Sequence, residues 1–107
     1  MKKLFKIAFI NQGQIYELYS RSVVGSDLAY GFVEVSELVF ENDHSVVIDP
    51  SEERLRTEFE DVEVLHLPLH SIVRIEQVKK RGKAVIRDRK SGEKVTPLPL
   101  DGPRRKS

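Results

Sequence analysis

The sequence predicts a mainly β domain of the α+β class: a small, strongly bent sheet with one short helix inserted between its strands. Two observations predict it. Short runs rich in Val, Ile, Leu, Tyr and Phe recur from Leu4 to Ile86, separated by Gly, Asn, Asp and Ser. Only around Pro50 does the apolar spacing change to that of a helix.

The elements follow in order. Leu4 to Ile10 alternates, with Phe5, Ile7 and Phe9 on one side. Asn11-Gln12-Gly13-Gln14 is a turn, with Gly13 available for positive φ. Ile15 to Val24 completes a hairpin. Gly25-Ser26-Asp27 is a loop. Tyr30 to Phe40 is a long strand whose alternation slips near Ser36-Glu37, which predicts a bulge or a bend there. Gly31 marks a place where a larger side chain is expected not to fit. Glu41 to His44 is a polar turn, and Ser45 to Ile48 a short buried strand.

Asp49-Pro50 with Glu52 is a helix start. Asp can cap the free amides, Pro at the first helical position loses no useful donor, and Glu answers the positive end of the dipole. The helix is expected over about 50–61. Leu55, Phe59 and Val62 share one face, and Glu52, Glu53, Arg56, Glu60 and Asp61 are assigned to the solvent side. Three turns are too few to be stable alone, so the helix must lie on the sheet. Val64 to Leu67 and Ile72 to Val78 are two further strands. Pro68 cannot donate to a ladder and holds Leu67 extended, so Pro68 to Ser71 is a corner, expected as a single 3₁₀ turn. Strand, one-turn corner, strand is the closing unit of SH3-like and Sm-like barrels. A partly open barrel of that kind is therefore the expected architecture, by analogy of fold alone. Lys79 to Lys94 is expected as a basic C-terminal hairpin. Residues 1–100 form the domain, and 101–107 a flexible basic tail.

Composition excludes several classes of function. The chain has 107 residues and no Cys, so disulfide and thiolate chemistry are not available to it. No apolar run approaches the ~18 residues of a membrane span. Lys6 interrupts the run that follows Met1-Lys2-Lys3, and no signal peptide is read there; cytoplasm is the expected compartment. Net charge is +1, but unevenly spread. Met1 to His70 carries six Lys/Arg against thirteen Asp/Glu, and Ser71 to Ser107 twelve against four. Such asymmetry marks a polyanion-binding end, an end that meets acidic surface, or halves that neutralise each other.

Several motifs resemble a known family. They are Asn11-Gln12-Gly13 with Ile15-Tyr16-Glu17-Leu18-Tyr19, Tyr30-Gly31-Phe32-Val33-Glu34-Val35, Asp49-Pro50-Ser51-Glu52-Glu53-Arg54-Leu55, and Leu67-Pro68-Leu69-His70-Ser71-Ile72-Val73-Arg74-Ile75. In this order, over roughly Leu4 to Pro99, they resemble a family of small bacterial proteins defined as a domain of unknown function. The resemblance implies a cytoplasmic protein with no established activity and no catalytic residues to carry over.

Candidate sites are few. His66 and His70 are four apart, but Pro68 lies between them and the surroundings are β, so they need not share a face and no metal is assigned. His44, beside Asp43, makes no triad by adjacency. No phosphate loop, nucleophile elbow or zinc spacing is present, so no cofactor or catalytic residue is assigned. The leading candidate is the basic segment: Lys79, Lys80, Arg81, Lys83, Arg87, Arg89, Lys90 and Lys94 against Asp88 and Glu93. As a two-stranded ribbon it can lie against a phosphate backbone or an acidic protein surface, though Lys on a hairpin also serves solubility and edge protection. The second candidate is a rim of Tyr16, Tyr19 and Tyr30, with Phe32, as a groove for a peptide or base; core packing is its commoner use. Tyr16 and Tyr19 are three apart on one strand, so one of them is expected to face out. The expected function is a non-catalytic binding module for RNA or another acidic partner. The alternative is a protein–protein adaptor, extending to a homodimer, that uses the rim or a sheet edge. An enzyme without a recognisable motif is the third reading.

Overall fold

A computed structural model describes residues 3–27, 30–40 and 50–94. The expected strand Ser45 to Ile48, the cap Asp49, His44 and the tail 101–107 lie outside the described residues. Among the described residues six strands, one α-helix and one 3₁₀ turn follow in order: β1 Phe5–Asn11, β2 Gln14–Gly25, β3 Phe32–Val39, α1 Pro50–Phe59, β4 Val64–Pro68, the 3₁₀ turn Leu69–Ser71, β5 Ile72–Gln77 and β6 Val85–Asp88. All strand pairs are antiparallel, in the order β4-β3-β2-β1-β5, and β6 adds to β2. The sheet is mainly antiparallel β with one helix, as expected, and is not closed.

Its curvature follows from connectivity. β4 and β5 lie at opposite ends of a five-strand path. Laid flat, the path would be about 19 Å wide at ~4.8 Å per strand, whereas a three-residue 3₁₀ turn spans only about 6 Å. The sheet must therefore curl until its two edges meet at the corner. Pro68 (φ −65°, ψ 141°) sets that corner, and the Leu69 N–H donates to Gly31 O at 2.8 Å, tying it to the start of β3.

Local chemistry fixes the turns. Gln12 (φ 54°) and Gly13 (φ 77°) form a two-residue hairpin loop with both central residues left-handed. Gly31 is needed for its φ of +83°; a Cβ there would meet open space, so conformation and not crowding selects glycine. The slip expected near Ser36-Glu37 is a bend. Register against β2 is the same on both sides of it, but Glu37 takes φ 56°, and the buried residues change phase in both strands. Tyr16, Leu18 and Ser20 are buried before the bend, and Val23 packs on the core after it. The fully buried Ser20 hydroxyl caps the break, accepting from the Ser22 N–H at 3.0 Å and donating to Ser36 O at 2.6 Å.

The core lies on one face. Ile7 pairs with Leu18 and Phe9 with Tyr16; Val33, Val35, Leu67 and Ile86 extend the layer, and Leu55 and Phe59 of α1 cover it. The helix differs from expectation in two ways. It ends at Phe59, so Val62 lies beyond it and is 36 % exposed. Glu52, assigned to the solvent side, is 4 % exposed. Three and seven residues before Leu55 and Phe59, it shares their face, and its Oε1 accepts the Ala84 N–H at 2.6 Å.

Candidate functional site

The tyrosine rim does not form. Tyr16 and Tyr19 do point to opposite faces, but both are buried, so the expectation that one faces out fails. Tyr16 packs between Phe9 (centroids 5.6 Å) and Phe59 (6.4 Å, edge-on) under the helix. Burial, then the nearby Glu58 carboxylate, push its hydroxyl pKa up, against a hydrogen bond with Asn11 and the charge of Arg54. Tyr19 is covered on the other face by residues 79–84, which cross from β5 to β6. A Cβ on Gly82 would lie 2.6 Å from the Tyr19 hydroxyl oxygen, so any larger residue there must push the tip of the tyrosine aside. Of the three rim tyrosines, Tyr30 alone is exposed.

The eight cations of the basic segment do not sit on one ribbon. β5 borders β1, whereas β6 borders β2 on its far side, so residues 79–84 must traverse the sheet face between them. Three contacts fix this crossover. The Val78 N–H donates to Leu4 O (2.8 Å), Arg81 Nη1 to Phe40 O (2.9 Å), and the Ala84 N–H to Glu52. Lys79, Lys80, Arg81 and Lys83 therefore lie at the end of the sheet where β1 begins. Arg89, Lys90 and Lys94 lie beyond Asp88, which pairs with Gln14 at the opposite end. Seven residue steps along β1 separate Leu4 from Asn11, about 23 Å.

Arg87 belongs to neither cluster. Its Nε bonds Glu17 Oε2 at 2.8 Å, and its Nη1 donates to Gly92 O. Glu17, on the face that carries Tyr19, also receives Lys6 Nζ at 3.7 Å. This row ties β1, β2 and β6 together, and Arg87 is structural. The distal turn is self-contained. Asp88 Oδ2 accepts the N–H groups of Ser91 (2.8 Å) and Lys90 (3.1 Å), and Gly92 takes φ 78°. The bonds to Ser91, first the backbone and then the hydroxyl, hold the Asp88 carboxyl below its usual range. Among the described residues, β6 has a single bridge, Arg87 to Lys94, on this side.

The near end gains residues that sequence reasoning missed. Phe5 pairs with Ser20, so Lys3 and Arg21 come beside the crossover, and Arg21 Nη1 lies 3.5 Å from Lys3 O. Lys3, Arg21, Lys79, Lys80, Arg81 and Lys83 thus make one basic end. No local signal could have joined Lys3 to Lys79; strand pairing does. Glu52 was legible from its spacing to Leu55 and Phe59, had the charge not argued for solvent. His66 (β4) and His70 (3₁₀ turn) are exposed, and no group of three possible ligands is placed to hold a metal among the described residues. Among the same residues, no helix is long and apolar enough to cross a membrane.

Residues 3–100 match the family known as domain of unknown function DUF1820, and the chain belongs to it. No curated protein and no solved structure matches it.

Proposed function

We propose that this member of DUF1820 is a cytoplasmic, non-catalytic binding module, a partly open barrel of SH3/Sm-like kind, that holds an acidic partner at its basic end. One observation carries the reading. Strand register gathers Lys3 and Arg21 beside a crossover bearing four more cations, and that crossover is held by three hydrogen bonds, to Leu4 and Phe40 at the sheet and to Glu52 of α1. Fixed backbone lowers the ordering cost of each contact. Exposed Lys79 and Lys80 contribute most to the attraction, since Arg81 already spends one donor on Phe40 O.

Labelled single-stranded RNA and a polyglutamate peptide serve as probes, followed by fluorescence anisotropy across a salt series. Binding is expected to weaken steeply with salt. K79E/K80E should abolish it, whereas R89E/K90E at the far turn should change it little. On RNA, each phosphate contact adds about −0.7 to the slope of log affinity against log salt, so losing two flattens the slope by about 1.4. If neither probe binds at low salt, or if R89E/K90E is the damaging variant, the basic end is not the site.

A further inference from the structure

The sheet leaves two edges that the core does not use. β4 pairs with β3 and β5 with β1; among the described residues neither has a strand on its outer side. Unpaired edges present a row of backbone donors and acceptors, and proteins usually blunt them with charge or Pro. β4 does end in Pro68, and β5 carries the exposed Arg74–Glu76 pair, yet both edges are also partly apolar. Val64 on β4 is 41 % exposed, and Val73 and Ile75 on β5 are 54 % and 40 % exposed. The strands also match in length, five residues against six.

Charge at the strand ends gives the pair a direction. Exposed Glu60, Asp61 and Glu63 immediately precede β4, while exposed Lys79 and Lys80 follow β5. If β5 of one molecule lies antiparallel beside β4 of another, the end of β5 meets the start of β4. Lys79 and Lys80 then fall against Glu60, Asp61 and Glu63; a parallel arrangement would separate them. The start of β4 also borders a groove of about 420 Å³ lined by apolar Leu38, Phe40, Phe59 and Val62 and by three carboxylates, Glu37, Glu60 and Glu63, against one cation, Arg56. A lysine places its methylene stem on such an apolar lining and its ammonium at the carboxylates.

From this we infer that the acidic partner of the basic end is a second copy of the chain, docked head to tail with β5 of one copy added antiparallel to β4 of the next. The inference rests on the basic-end reading above and names its occupant. The two edges are different surfaces, so the contact is heterologous: it does not saturate at a symmetric dimer but closes as a ring or continues as a filament.

The test is mass in solution by sedimentation, at low and high salt, with nuclease-treated full-length protein. The wild type is expected above the mass of one chain at low salt and to fall towards it as salt rises. E60K/E63K and K79E/K80E should each be monomeric, and each should keep the wild-type circular dichroism, since all four side chains are exposed. An equimolar mixture of the two should associate again, because each reversed end then faces its complement. V64K and V73K repeat the test through the edges. Each should be monomeric alone, and the mixture should stop at two chains, because one open β4 edge and one open β5 edge remain. A monomeric wild type at low salt, variants that associate unchanged, charge-reversed variants that stay monomeric on mixing, or association that disappears with nuclease would each overturn the contact. E60K/E63K separates the two proposals: it should lose self-association and still bind the RNA probe. RNA binding without any self-association would leave the basic-end reading standing and remove this one.

Discussion

The two faces of β2 are both covered, but by different kinds of structure. Tyr16 lies under α1, a helix with a face of Leu55 and Phe59. Tyr19 lies under a crossover with no regular structure, whose closest approach depends on the missing side chain of Gly82. One cover works by apolar area, the other by backbone proximity. The first is strong and tolerant of detail; in the second, a single added carbon must displace the Tyr19 hydroxyl. They meet at Glu52, whose carboxylate reaches from the helix to the amide at the end of the crossover.

That contrast sets an order of effects. Phe59→Ala removes the largest apolar group of the helical cover, 8 % exposed in the fold. It should cost about 3–5 kcal/mol, read by urea unfolding. A loss under about 1 kcal/mol would mean that the helix contributes little cover. Glu52→Ala strikes the joint between the covers and leaves the Ala84 N–H without its carboxylate. A cost of about 1–3 kcal/mol is expected, with faster amide exchange at Ala84 and its neighbours while β1 and β2 stay protected. Uniform loosening of the whole sheet would deny the joint its local role. Gly82→Ala is the smallest effect, about 1 kcal/mol, because the obstructing atom is the tip of a side chain. Tyr19→Phe removes that tip, so the double variant should lose less than the sum of the two single ones. Strict additivity would place the crossover elsewhere than on Tyr19.

The same division explains how far the candidate site could be read in advance. Lys79, Lys80, Arg81 and Lys83 stand together in the chain and remain together in the fold. Arg87, Arg89, Lys90 and Lys94 were grouped with them by proximity along the chain, but the sheet sends them elsewhere. Arg87 turns inward to Glu17, and the rest sit at the opposite end. Lys3 and Arg21 joined the basic end from far upstream, through pairings of β1 and β2.

The sequence by itself determined the mainly β class, the hairpin turn with its left-handed Gly13, the irregularity near Ser36-Glu37, the Leu55 and Phe59 face of α1 and the one-turn corner after Pro68. Each depends on a few neighbouring residues whose spacing and backbone preferences act locally. Only the tertiary structure decided that both tyrosines are buried, that a carboxylate lies in the helix interface, and which cations share an end. Those outcomes depend on segments tens of residues apart, brought together when the sheet curls and residues 79–84 cross its face. No period in the chain encodes that crossing.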